Sequence, residues 1–330
     1  MQDVVALGAG YLTLSHTWGA NKNPAYSTRK HNVSERIEHG IAWRDLPLTF
    51  QNTIDAARRL RVPLIWIDNL CIVQDDSKEW VVESAKMGDI YKNSYLNISA
   101  TSAKSSQEGL TSSLELHPRL LQTDWNGDRQ AGCYRIMERS FWVDRISEAS
   151  INTRGWVLQE RVLASRILHY CYDQLAWECC ELSASEQFPG GLPPPLQDTH
   201  GSFKQDVKIG LLTSFPNESS DEVTRRDAFV TWQTVVHMYG NCELSKPDQD
   251  KFVAISGLAS AVQKQLNGDE YLAGIWRSNI YAGLLWKVFK ERRHINEYTV
   301  DAGMYSKKYG TSARSSDYRA PSWSWASVDG

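Results

Sequence analysis

The stretch LIWIDNLCIVQDDSKEWVVESAKMGDIY, Leu64 to Tyr91, decides the fold class that this sequence predicts. With Pro63 before it, the first part is apolar on both faces, which is typical of a central strand covered by helices on each side. Acids follow the strand, and apolar residues at helical spacing then predict a helix from about Glu79 to Tyr91. We therefore expect a buried strand whose end meets a group of carboxylates.

The neighbouring segments extend this pattern into an alternation of strands and helices. YLTLSHTWG at 11–19 and YLNISATSA at 95–103 are rich in strand-forming residues. LPLTFQNTIDAARRLRV at 46–62 has the spacing of an amphipathic helix. The order strand, helix, strand, helix, strand predicts an α/β fold with a mostly parallel sheet flanked by helices.

The second half of the chain predicts a largely helical region. A short helix from Trp156 to Leu163 is expected to lead into one long or two short strands. Residues 183–222 are rich in Pro, Gly and Ser, and Pro193 to Pro195 fit neither a helix interior nor a central strand. Three or more helices follow, and alternating Trp323 and Trp325 suggest a final strand. The expected division is an α/β core at 1–182, a linker at 183–222, and a helical extension at 223–330 whose final strand packs back on the core.

Composition narrows the class of partner. The 330 residues carry a formal net charge of -3 and have a pI near 6.3, so a nucleic-acid partner is not expected. No run approaches the ~18 consecutive apolar residues of a membrane span. The amino terminus lacks the pattern of a secretory signal, and we expect a cytoplasmic protein. The six cysteines form no C-x-x-C pair, and no metal site is predicted.

Two acids of the deciding stretch are candidate catalytic residues. Asp68 lies within the predicted strand, and Glu83 shares a helical face with Trp80 and Met87. Burial raises the pKa of a carboxyl group into a range that is useful for proton transfer. The alternatives are that Asp68 caps a turn or pairs with an arginine, and that Glu83 reaches water at the rim.

RGWVLQER, residues 154–161, places further polar side chains on a helix. Trp156, Gln159 and Glu160 share one face. Arg161 is a natural partner for Glu160 or for a buried carboxylate elsewhere. These residues predict either a ligand-binding site or a buried polar network that fixes the packing of the helix on the sheet.

Ser15 and His16 end the first predicted strand and place a hydroxyl beside an imidazole. Adjacent residues of a strand point to opposite faces, so the two are not expected to form a nucleophile and base pair. Both remain candidates for a site at the strand end, and simple hydrogen bonding there is the alternative.

Three of these blocks resemble the motifs of the fungal heterokaryon incompatibility (HET) domain: YLTLSHTWG, residues 46–94, and TRGWVLQERVLASRILHY at 153–170. APSWSWASVDG at 320–330 resembles the usual sequel in these proteins. The resemblance implies a fungal intracellular protein tied to nonself recognition and programmed cell death. It also implies a fold similar to that of Toll/interleukin-receptor (TIR) domains, a flavodoxin-like parallel sheet.

The TIR likeness implies a reaction, because some TIR domains cleave NAD with one catalytic glutamate. Glu83 would then be the carboxylate that steadies the ribose as the nicotinamide bond loosens. Trp18, Trp66 and Trp80 would offer stacking surfaces. The sequence assigns no cofactor, and NAD enters only as a substrate.

Two classes of function stay open. The first is an effector of fungal nonself recognition, acting through self-association, through a signalling partner protein or through NAD cleavage. The second is a stand-alone enzyme of a secondary-metabolite pathway, such as a cyclase, isomerase or hydrolase, that binds a small molecule in an aromatic-lined pocket. The second class predicts an enclosed apolar cavity with an acid or a histidine at its edge.

Overall fold

A computed structural model describes residues 10–20, 25–110, 120–123, 132–135, 138–197, 207, 221–288 and 312–329. A six-stranded sheet is formed by strands between residues 11 and 185, in the order β2-β1-β3-β6-β7-β8. β1 to β3 and β6 are parallel, whereas β7 and β8 are added antiparallel at one end. The predicted α/β class is confirmed. The strands are β1 (Tyr11–Ser15), β2 (Leu64–Trp66), β3 (Leu96–Ser99), β6 (Arg166–Tyr170), β7 (Leu175–Cys179) and β8 (Ser183–Ser185).

Small antiparallel pairs make up the remaining described strands. They are β4 (Leu120–Thr123) with β5 (Gly132–Arg135), β9 (Tyr271–Leu272) with β10 (Ile275–Trp276), and β11 (Ala313–Arg314) with β12 (Val328–Asp329). The α-helices with described bounds are α1 (Val33–His39), α2 (Leu48–Leu60), α3 (Asp68–Cys71), α4 (Ser77–Lys92), α5 (Gly155–Leu163), α6 (Pro194–Gln197), α7 (Asp221–Gly240), α8 (Pro247–Asp250), α9 (Ser256–Gln265) and α10 (Ile280–Gly283). Within these ranges no helix is both long and apolar enough to cross a membrane.

The prediction of a long central strand through Trp66 is wrong in length and in place. β2 contains three residues and lies at one edge of the described sheet, with β1 as its neighbour. The N–H groups of Leu70 and Cys71 donate to the carbonyl of Ile67, at 3.0 and 2.8 Å, and turn the chain into α3. Asp68 therefore begins a helical turn instead of continuing a strand. The central parallel strands are β1 and β3.

The sheet is covered on both faces. One face packs against α2, with Phe50 and Ala57 in a cluster that includes Leu12, Leu14 and Ile98. The opposite face lies under α4 and α5. The Asp76 side chain caps α4 by accepting from the N–H groups of the first turn, and its pKa is lowered by those bonds and by Lys30. Capping explains why the acids after β2 precede a helix.

The C-terminal helices pack on α5. Leu158, Val162 and Leu163 of α5 share an apolar cluster with residues of α7 and α9, among them Trp232 and Leu258. The α4 and α9 backbones approach closely at two glycines: a Cβ on Gly88 would lie 2.8 Å from the Cα of Gly257. The helical extension is thus built directly onto the helix that covers the sheet.

Part of the expected linker belongs to the sheet. β8 occupies Ser183–Ser185, and the side chains of Leu192 and Leu196 are buried against Phe141 and Trp142. Pro194 is the first residue of α6, a position where a missing N–H costs no helical hydrogen bond. The division into core, linker and extension stays a prediction, but residues 183–197 pack on the core.

Two predicted elements near the C-terminus differ from the structure. One of the helices expected in this region, at residues 273–289, is interrupted: Ala273 and Gly274 turn the chain of the β9–β10 hairpin with φ values of 44° and 100°, and after β10 a 3-10 turn at Arg277–Asn279 precedes α10. Trp325 begins a 3-10 turn and packs into the helical cluster. The final strand is limited to β12, which pairs with β11 and not with the six-stranded sheet.

Candidate functional site

The strand order places a topological switch point between β1 and β3. β1 connects to β2 on one side, and β2 connects to β3 on the other side of β1. In open parallel sheets ligands bind at the carboxyl ends of the strands at such a point. Ser15 ends β1, Ser99 ends β3, and Asp68 follows β2.

Ser15 and Glu160 form a buried hydrogen bond at this end of the sheet. The Ser15 hydroxyl donates to Glu160 Oε2 at 2.5 Å, and Asn97 Nδ2 donates to the Ser15 oxygen at 3.0 Å. Burial raises the pKa of Glu160 to about 7, while Ser15, Arg154 and Tyr91 oppose the rise. Glu160 is therefore a carboxyl group that exchanges its proton near neutral pH.

His16 points away from Ser15 and meets Asp68. Its Nδ1 lies 3.7 Å from Asp68 Oδ1, and its ring packs edge-on against Phe50 with centroids 5.0 Å apart. Burial lowers the pKa of His16, and the charge of Asp68 opposes this effect. The expectation that Ser15 and His16 face opposite sides is confirmed. His16 is a neutral imidazole beside a carboxylate.

Asp68 is the most accessible acid of this group. Its side chain is 26% exposed, and Trp18 Nε1 donates to its Oδ2 at 3.2 Å. Burial raises the pKa of Tyr91 and of Glu160, and the charge of Asp68 raises both further.

Arg154 completes the group, since its guanidinium donates to the His16 carbonyl at 2.7 Å. We call this group the polar cluster: Ser15, His16, Trp18, Asp68, Tyr91, Asn97, Arg154 and Glu160.

A family model described as "Heterokaryon incompatibility protein (HET)" matches residues 11–160. We refer to residues 11–160, the part of the chain that matches this family, as the HET domain. The match begins at the first residue of β1 and ends on Glu160, and it encloses the whole polar cluster. β6 to β8 complete the same sheet beyond the matched residues.

A curated relative supports this assignment over a shorter stretch. "Heterokaryon incompatibility protein 6, OR allele" of Neurospora crassa is 33% identical over 95 residues, which is 26% of this chain and 13% of that protein. The chain thus matches only a small part of the relative's length. No solved structure matches this chain.

Several predicted site residues lie outside the polar cluster of the HET domain. Glu83 is bound by Lys86 at 2.6 Å on the same helix. Trp80 packs edge-on against Trp156, with centroids 6.0 Å apart, and Trp156 Nε1 donates to Asp250.

Trp66 and Gln159 have packing roles in the HET domain. Trp66 is buried against Tyr91, with ring centroids 5.7 Å apart. Gln159 Oε1 accepts from the N–H of Gly257, whereas its buried Nε2 has no hydrogen-bond partner within the described residues. Gln159 thereby connects α5 with α9.

Arg161 pairs with Glu178 and not with Glu160. Two Arg161 nitrogens donate to the two Glu178 oxygens, each at 2.9 Å. His169 Nε2 contacts Glu178 Oε2 at 3.1 Å, and His169 Nδ1 contacts Thr101 at 3.0 Å. Glu178, His169 and Thr101 were not among the site residues predicted from the sequence. His169 and Glu178 each interrupt an apolar stretch of a strand, RILHY and LAWEC, and a polar residue at such a place is the signal that was available for these two.

Within the described residues, no group of histidine, cysteine, aspartate and glutamate side chains is arranged to hold a metal ion. The chemical groups at the switch point are instead two carboxyls, one imidazole and one guanidinium. Such a set can stabilise positive charge on a substrate and accept a proton from water.

Proposed function

We propose that this chain acts in fungal nonself recognition, with the HET domain as its effector part. One observation carries the proposal: the family match encloses every member of the polar cluster, from β1 to Glu160. The name of the Neurospora relative, heterokaryon incompatibility protein 6, agrees with this role.

The finer proposal is that the effector cleaves the bond between nicotinamide and ribose in NAD. Positive charge develops on the ribose as the bond breaks, and a nearby carboxylate stabilises it. Asp68 is the acid of the polar cluster with an accessible side chain, and Trp18 beside it offers an aromatic surface. We assign this stabilising role to Asp68.

Glu160 would accept the proton of the attacking water. The water oxygen bonds to the ribose carbon, nicotinamide leaves with the electron pair of the broken bond, and the water proton passes to the carboxylate. A base with a pKa of about 7 suits this step near neutral pH. Because Glu160 is 6% exposed, water would have to reach it through the switch point.

The second class of function, a cyclase, isomerase or hydrolase of secondary metabolism, needs an acid or a histidine at an apolar cavity. The apolar cleft beside Trp80 is lined by nine residues, none of which is acidic or a histidine. This cleft therefore does not supply the acid or base that such an enzyme needs, whereas the family match supports the effector role.

The test is regulated expression of the full chain in a fungal host, with cell viability and total NAD measured over time. We expect the wild type to arrest growth and to lower NAD. Asp68→Asn should abolish both effects, because the charge is lost while the size is kept. Glu83→Gln is the matched control, since Glu83 is paired with Lys86 outside the polar cluster, and it should behave as wild type.

The outcomes separate the two levels of the proposal. Growth arrest without loss of NAD would keep the recognition role and reject NAD cleavage. Growth arrest that Asp68→Asn leaves unchanged would reject the assigned site. Normal growth of cells that accumulate the folded wild type would reject the effector role.

A further inference from the structure

A cleft of about 450 Å³ lies between α4 and the C-terminal helical region. It shares no residue with the polar cluster. The α4 wall consists of Trp80, Val81, Ser84 and Ala85. The opposite wall consists of Phe252, Val253, Ser256, Tyr271 and Ala273. The cleft thus joins the HET domain to a part of the chain beyond the family match.

We propose that this cleft binds an uncharged, planar, apolar small molecule. Its volume falls within the ~300–1,000 Å³ typical of small-molecule sites, and such sites occur preferentially where two structural units meet. Trp80, Phe252 and Tyr271 supply three aromatic rings for packing against a flat ligand. No charged residue lines the cleft, so a charged ligand would lose its hydration without gaining a partner.

The β9–β10 hairpin, which supplies Tyr271 and Ala273 to the second wall, is held in place without a ligand. Ala273 adopts the left-handed conformation, with φ of 44°, which costs an ordinary residue ~1–2 kcal/mol. The indole N–H groups of Trp232 and Trp325 both donate to the Gly274 carbonyl at 2.9 Å, and Ser324 donates to the Ala273 carbonyl at 2.6 Å. These bonds hold the turn, and a preformed wall lowers the entropy that binding would cost.

The α4 wall is also held by packing. The ring of Trp80 rests edge-on against Trp156, whose indole donates to the buried Asp250. Small side chains at Ser84 and Ala85 leave the space beside this ring open. The cleft is therefore a gap between two fixed walls.

The size of the cleft favours a small molecule over a protein segment. A stable protein interface involves about 20–30 residues on each side. Nine residues line this cleft, so it would supply only a minor part of such an interface.

The experiment titrates the full chain with N-phenyl-1-naphthylamine, an uncharged aromatic probe whose fluorescence rises in apolar surroundings. α4 offers a matched pair of variants. Val81 lines the cleft and is 61% exposed, whereas Val82 is outside the lining and is 52% exposed. Val81→Asp and Val82→Asp therefore make the same chemical change at adjacent, similarly exposed positions.

We expect saturable binding of one probe molecule to wild type and to Val82→Asp. Val81→Asp should raise the Kd by about 10-fold, because the probe must desolvate or displace the new carboxylate. Ala85→Trp should reduce binding as well, since its ring would occupy the cleft. The probe should raise the Tm of wild type and of Val82→Asp in a concentration-dependent way.

Three results would overturn the proposal. The first is the lack of saturable binding to folded wild type, and the second is equal weakening by Val81→Asp and Val82→Asp. The third is self-association in sedimentation velocity that Val81→Asp abolishes and Val82→Asp does not, which would assign the cleft to a second copy of the chain.

Discussion

Leu12 and Leu14 lie on one face of β1 and Thr13 and Ser15 on the other, yet all four are at most 2% exposed. The same contrast recurs across the sheet. On β3 and the strands beside it, Ile98 and Leu168 continue the apolar face. Asn97, Ser99, His169 and Glu178 continue the polar face.

The two faces are buried by different physical rules. An apolar side chain is stabilised by leaving water and by close packing. Packing on the α2 side therefore depends on complementary side-chain shapes more than on specific hydrogen-bond partners. A buried polar group loses stability unless it finds a hydrogen-bond partner. The polar face meets this demand with groups from α5, since Glu160 accepts from Ser15 and Arg161 binds Glu178. The polar face therefore specifies one position for α5.

The largest expected effect comes from breaking the ion pair on the polar face. Arg161→Met leaves Glu178, which is fully buried, without its guanidinium partner, and should lower the free energy of unfolding by about 3–5 kcal/mol. Urea denaturation followed by circular dichroism measures the loss. The double variant Arg161→Met/Glu178→Leu removes both charges and should be more stable than the single variant. A double variant that is less stable would show that the charges contribute stability beyond their mutual pairing.

The matching change on the apolar face is Ile98→Ala. Ile98 is fully buried under α2, and removing its methyl and methylene groups should cost about 2–5 kcal/mol through lost burial and a cavity. The pH dependence of stability should be unchanged, because no titratable group is involved. Equilibrium unfolding of this variant at two pH values tests both statements, and an altered pH dependence would contradict the separation of the two faces.

The raised pKa of Glu160 predicts that the free energy of unfolding depends on pH through the polar face and not through the apolar face. The folded protein keeps Glu160 protonated up to about pH 7, whereas an unfolded glutamate releases its proton near ~4.3. Between these values the folded state binds more protons, so stability should fall as pH rises, by up to roughly 4 kcal/mol for this group.

Glu160→Gln should remove this contribution and make the protein more stable than wild type at about pH 8. Urea midpoints measured from pH 5 to pH 8 provide the comparison, with Ile98→Ala, which removes no titratable group, as the control that keeps the wild-type pH dependence. If the unfolding free energies of Glu160→Gln and of the wild type are equal at every pH in this range, a buried, neutral Glu160 is refuted.

The smallest effect is expected from Thr13→Val. This change keeps the shape of the side chain and removes the hydrogen bond from Thr13 Oγ1 to Asn97 Oδ1, at 3.0 Å. The expected loss is about 1 kcal/mol, because one buried acceptor loses a donor. Chemical denaturation resolves this difference. A loss as large as that of Arg161→Met would mean that the whole polar face unfolds as one unit.

Much of the fold was predictable from local patterns. The helix at Ser77–Lys92 and the strands around Tyr11 and Leu96 follow from periodicity and caps, which depend on residues close in sequence. The edge position of β2 was not predictable in this way. An apolar run on both faces fits a central strand, and only the hydrogen bonds to the Ile67 carbonyl show where the strand ends.

The sequence by itself predicted the α/β fold and the resemblance to the HET domain, and its candidate site residues included Ser15, His16, Asp68 and Glu160. Only the tertiary structure decided that Ser15 contacts Glu160 and that His16 lies beside Asp68, whereas Glu83 pairs with Lys86 and Arg161 with Glu178. The physical reason is distance along the chain. Ser15 and Glu160 are 145 residues apart, so their contact depends on how α5 packs on the sheet and not on any local pattern.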